Sequence, residues 1–167
     1  MSKVINRVRL IAAVGAAVIS FGALAAGSHG SEHGSNHSGG HETAAPIGKA
    51  GNASKVSRTI DVVMTDAMRF TPDRIDVKAG ETVRFRVTNS GKIRHEMVLG
   101  TEADLSGHYQ MMLKDPGMRH EEANSVSLEA GKTGEIVWQF DKAGHVAFAC
   151  LEPGHYPAGM KGAVSVK

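Results

Sequence analysis

The chain has 167 residues, 41% of them hydrophobic and 22% charged, with 19 Lys+Arg against 17 Asp+Glu and a formal net charge of +2. Three of the basic residues, Lys3, Arg7 and Arg9, precede an apolar run; without them the balance is 16 to 17, so charge gives no support for nucleic-acid binding. A single cysteine, Cys150, excludes an internal disulfide.

The apolar run from Leu10 to Ala26 ends in "ALAAG", where Ala23 and Ala25 supply the small-x-small pattern of a signal-peptidase site. Residues 1–25 therefore read as a signal peptide cleaved after Ala25, which implies export to the periplasm. The run is shorter than the roughly 20 apolar residues that span a bilayer, so no membrane insertion is expected after cleavage. No cysteine lies near the cleavage site, which excludes a lipoprotein.

Residues 26–54 are Gly, Ser, Ala, His and Asn with scarcely a large apolar side chain, and they read as a disordered tail. Within it His29, His33, His37 and His41 recur every fourth position. On a helix that interval would make one stripe, but the Gly and Ser content opposes a helix, so the four imidazoles read as a flexible chelating tract. A solubilising linker is the alternative.

Residues 55–167 are enough for one core and read as one domain. "TIDVVMT", "RIDVKAG", "ETVRFRVTN", "HEMVLG", "NSVSLEAG", "GEIVWQF", "HVAFAC" and "GAVSV" are short segments bounded by Gly, Asn, Asp or Pro, and several alternate with period two. Val83, Phe85 and Val87 fall on one face, as do Ile136, Trp138 and Phe140, and Val146, Phe148 and Cys150. About eight such strands predict a two-sheet antiparallel sandwich, an all-β fold. Residues 102–123 lack the alternation and predict a short helical insert to about Lys114, before Pro116 and Gly117 break it.

The stretch "CLEPGHYPAGM" carries the chemistry. If Val146 and Phe148 face the core, so does Cys150 at the strand's end, and the following turn brings His155 and Met160 around the same pole. Thiolate, imidazole and thioether are soft and borderline donors; one more histidine completes a His2Cys site with a weak axial Met. His95 opens "HEMVLG" after the turn "NSGKIR" and is the candidate. Thiolate binds copper in both oxidation states, imidazole suits Cu(II) and thioether favours Cu(I), so one rigid site serves both. Each residue also has a plainer reading. Cys150 would be a small core hydrophobe, His95 a turn cap, and the metal zinc, although structural zinc sites rarely use thioether. His145 reads as a solvated surface histidine and Trp138 as core.

"MRFTPDRIDVKAGETVRFRVTNSGKIRHEMVLG" together with "GHVAFACLEPGHYPAGMKGAVSV" resembles the cupredoxins, small blue or green copper proteins with a Greek-key β-sandwich fold, over about residues 58–167. The C-x4-H-x4-M spacing is similar to that of rusticyanin and the auracyanins and longer than the plastocyanin loop. The resemblance implies that His95, Cys150, His155 and Met160 are the ligands of one type 1 copper. "HEMVLG", the Met-bearing insert and the His-rich leader are most similar to the periplasmic copper-tolerance cupredoxins of the CopI type.

Two functions follow from that resemblance. Copper tolerance, with copper bound and cycled between Cu(I) and Cu(II), accounts for the His tract and the insert. A soluble electron carrier is the alternative, docking through Leu151, Pro153, Tyr156, Pro157 and Ala158 around an exposed His ligand. An enzyme is not expected, because four protein ligands leave no open coordination position. Met111, Met118 and His120 form a candidate second, colourless Cu(I) site, with Met97 as a neighbour. Packing competes with that reading, since Leu105, Tyr109 and Met112 lie at i, i+4 and i+7. The expected partners are copper ions and a periplasmic redox or copper-transfer protein, with the chain itself a monomer.

Overall fold

A computed structural model describes residues 47–117 and 122–167; the expected signal peptide, His29, His33, His37, His41, Met118 and His120 lie outside the described residues. Among the described residues ten strands form two five-stranded sheets. The first sheet contains β1 (Lys49–Ala50), β8 (Thr133–Gln139), β5 (Thr82–Asn89), β2 (Arg58–Thr65) and β3 (Arg69–Thr71), in that order across the sheet. The second contains β4 (Arg74–Val77), β10 (Lys161–Val166), β9 (Gly144–Ala149), β6 (His95–Gly100) and β7 (Ser125–Leu128). The helix α1 (Glu102–Lys114) follows β6.

The period-two residues do what their spacing requires. Val83, Phe85, Val87, Ile136, Trp138, Phe140, Val146, Phe148 and Cys150 all lie in the core between the sheets, joined by Val62, Met64, Phe70, Met97, Leu99, Met160 and Val164. Phe70 and Phe148 meet edge to face with centroids 5.1 Å apart, as do Phe85 and Phe140 at 6.2 Å. The residues of opposite parity on β9, Ala147 and Ala149, are buried as well. They pack with Val98 and Leu151 under Leu105, Tyr109 and Met112 of α1. Strand β9 is therefore covered on both faces, which is why "HVAFA" lacks the polar alternation of β5.

The helix begins in a capping box, with the Thr101 hydroxyl accepting from the Asp104 amide and the Asp104 carboxylate accepting from the Thr101 amide. It ends at Asp115, the residue before Pro116, where helical backbone is disfavoured. Its i, i+4, i+7 stripe is buried and Met111 is 43% exposed.

Two expectations need correction. The sandwich is mixed rather than antiparallel: β2 runs parallel to β5, with Arg58 beside Val83, and β4 runs parallel to β10, with Arg74 beside Ala163. Sequence alternation reports which face is buried and carries no information on strand direction. The ordered domain also begins before Lys55. Lys49 and Ala50 pair with Gln139 and Trp138, and the Ile47 carbonyl accepts from the Trp138 indole at 3.0 Å. A two-residue strand in "GKAG" shows no periodicity, so composition alone assigned it to the tail. A chain truncated before Lys55 should unfold with about 1–3 kcal/mol less stability than one truncated before Ile47, because the buried indole N–H loses its acceptor. Urea unfolding of the two metal-free chains checks this.

Candidate metal centre

Three of the residues singled out at one pole, His95, Cys150 and His155, come together there. His95 is the first residue of β6, and Cys150 directly follows β9, antiparallel to it with Val98 beside Ala149. The turn after Cys150 folds back on itself: the His155 amide donates to the Glu152 carbonyl at 3.0 Å, the Met160 amide to His155 at 3.2 Å, and the Cys150 amide to Met160 at 3.1 Å. Gly154 and Gly159 have φ of 89° and 90°, in the left-handed region that glycine adopts without penalty. Each immediately precedes a predicted ligand, His155 or Met160, so the sharp reversals that aim those side chains inward fall on residues without a Cβ.

His95 Nδ1 lies 3.2 Å from His155 Nδ1, which lies 3.2 Å from Cys150 Sγ. Donor atoms of all three residues fall within 4.8 Å of one another. His95, Cys150 and Met160 are fully buried, and His155 is half-buried at the surface end. Burial pushes the Cys150 thiol up to about 12, while the backbone amides of Glu96 and Glu152 act in the opposite direction. The metal-free protein thus holds a neutral thiol, and metal binding must displace its proton. Burial, then the neighbouring His95, lowers His155, which keeps that imidazole neutral and able to ligate.

Several polar groups around the site have no sequence signature. The Glu96 amide donates to Cys150 Sγ at 3.4 Å, and its buried carboxylate accepts from the Leu151 amide at 2.9 Å and the Ser127 hydroxyl at 3.0 Å. Burial raises the Glu96 carboxyl above its ordinary range. Arg94 pairs with Glu152 at 2.6 Å. Asp66, in the turn after β2, lies 3.0 Å from His95 Nε2. The Lys92 amide, then the His95 ring, hold its carboxyl below the usual carboxylate range, so it is an anion. The α1 insert braces the ligand turn: the Tyr109 hydroxyl accepts from the Gly154 amide at 3.3 Å, Tyr109 packs on Tyr156 at 5.2 Å, and Lys161 Nζ lies 3.7 Å from the Tyr156 ring centre.

Some expected placements differ. Leu151 is buried under α1 and forms no part of an exposed patch; Pro157 and Ala158 are exposed, and Pro153 and Tyr156 half-buried. Met97 faces the sandwich core and not the helix, so it does not neighbour Met111. Of the candidate second site only Met111 is described. His145 is exposed and Trp138 is in the core, as read from the sequence.

The plastocyanin/azurin family of copper binding proteins matches residues 56–167. The chain belongs to that family. It is 53% identical over 127 residues to the copper-resistant cuproprotein CopI of Rubrivivax gelatinosus, covering 76% of this chain and 77% of that one. It is 40% identical over 150 residues to the copper-resistant cuproprotein CopI of Pseudomonas aeruginosa, covering 72% and 82%. The crystal structure of dithionite-reduced auracyanin from Roseiflexus castenholzii superimposes with a TM-score of 0.57 over 67% of this chain and 98% of that one, at 22% identity, which shows the cupredoxin sandwich. Copper is the cofactor of this cupredoxin, and a thiol with two imidazoles gathered in one pocket fits it by donor chemistry.

Proposed function

We propose that the chain is a periplasmic copper-tolerance protein that holds one copper through His95, Cys150, His155 and Met160. The observation that carries this is the convergence of His95, Cys150 and His155 donor atoms within 4.8 Å, in a pocket whose backbone is already closed by the turn's own hydrogen bonds. Bound there, copper supplies a one-electron Cu(I)/Cu(II) couple. The chain supplies a preformed donor set, exclusion of water by the buried Cys150 and Met160, and a half-buried His155 at the surface through which a one-electron partner can approach. Four protein ligands leave no position for a substrate, so the protein acts as a binder and not as an enzyme.

Copper tolerance is favoured by the two CopI relatives, whose names describe copper resistance, and by the four-histidine tract of the leader. The leader's apolar run and small-residue cleavage pattern support the periplasm. The leader tract, with Met111, Met118 and His120, would add weaker copper sites. The alternative is an electron carrier, favoured by the exposed Pro157 and Ala158 in the turn that carries His155. A strain lacking the protein should lose growth at elevated copper while its respiratory or photosynthetic electron flow at low copper is unchanged. Normal copper growth with impaired electron flow would reverse the assignment.

A further inference from the structure

We propose that Asp66 is the positioning residue of the copper site: its carboxylate accepts a hydrogen bond from the Nε2–H of His95, holds the proton on that nitrogen so that Nδ1 is the donor, and biases the site toward Cu(II). This rests on the ligand assignment above.

The His95 ring is fully buried, so its Nε2–H needs a protein partner, and Asp66 Oδ1 at 3.0 Å supplies one. An ionised carboxylate only accepts, so the contact places the proton on Nε2 and leaves Nδ1 bare. Nδ1 is the atom that faces His155 and the Cys150 side of the pocket. Asp66 is itself tied down. Its Oδ2 accepts from the Lys92 amide at 2.8 Å, and its turn is closed by the Met68 amide donating to Thr65 at 3.0 Å. Gly91 lies so close that a Cβ there would overlap the carboxylate. One side chain thus joins the turn after β2, the loop before β6 and a ligand ring. A backbone carbonyl would fix the same tautomer without charge. The carboxylate adds negative charge next to the ring, which raises imidazole basicity and stabilises the higher oxidation state. Nothing in the sequence flags it, since Asp66 is 29 positions from His95 and sits in an ordinary turn.

The test uses the full chain, copper-loaded, as wild type and as Asp66→Asn. Asparagine keeps the size and an acceptor oxygen and removes the charge. The visible thiolate band should persist, and the ratio of Cu(II) to Cu(I) affinity, measured by chelator competition, should fall about tenfold. That corresponds to a rise of about 59 mV in the one-electron potential. A second measurement needs no variant: nitrogen-15 spectra of wild-type metal-free and Cu(I) protein should show His95 as the Nε2–H tautomer. An unchanged affinity ratio, or a metal-free protein with the proton on Nδ1, overturns the proposal, and the tautomer decides alone if the variant does not load. Wild-type protein without a thiolate band would instead sink the ligand assignment, leaving the tautomer result to stand by itself.

Discussion

Replacing Cys150 with serine should abolish the visible charge-transfer absorption of the Cu(II) protein while the metal-free domain stays folded. The band requires a thiolate on copper, and the chain has no second cysteine to supply one. The fold does not depend on the sulfur: Cys150 is one small residue in a core built from Phe, Val, Ile and Met side chains. The serine hydroxyl can still accept from the Glu96 amide that now points at Sγ. Absorption spectra and thermal unfolding of the same preparations separate the two effects. A coloured Cys150→Ser protein would remove the thiolate from the site and with it the assignment of all four ligands.

The largest expected loss of stability lies two residues away. Phe148→Ala should destabilise the metal-free domain by about 3–5 kcal/mol, the range for emptying a buried aromatic site. That is a large share of the roughly 5–15 kcal/mol that holds a domain together. Phe148 is fully buried, meets Phe70 edge to face, and lies across from Gly162 on β10, where a Cβ would overlap its ring. The site is shaped around the ring from both sides, so little can collapse into the void. Denaturant unfolding measures the loss; a change below about 1 kcal/mol would mean that the two sheets close over the gap. Unlike Cys150→Ser, the variant should keep its colour at low temperature, because no donor atom is touched.

Much of the fold and the centre of the site are legible in the sequence. Period two in β5, β8 and β9 gives the inward faces, and the C-x4-H spacing with a strand-initial histidine gives the three residues whose donors converge. The i, i+4, i+7 stripe of α1 packs as its spacing predicts. What escapes the sequence is whatever depends on neighbours far along the chain. Strands of two and three residues, β1 and β3, are too short to show a period. Parallel pairing of β2 with β5 leaves no mark in either strand's composition. Glu96 looks like the solvent-facing partner of His95 and Met97, yet it is buried because the turn after Cys150 folds over it. Leu151, read as a docking residue, is buried because α1 lies over the outer face of β9.

The parallel pairing of β4 with β10 also orders events in time. Arg74 lies beside Ala163, so the second sheet cannot close until almost the whole domain is available to it. Pairings between such distant segments make for slow folding, on the order of milliseconds to seconds, since a long loop must be closed before any contact compensates for it. His95 and Cys150 are brought together only by the β6–β9 pairing in that same sheet. An unfolded chain offers a copper ion a lone thiol and scattered imidazoles, never the clustered donor set. Metal capture at this centre is therefore a late step, and the onset of thiolate colour during refolding marks completion of the sandwich and not its nucleation.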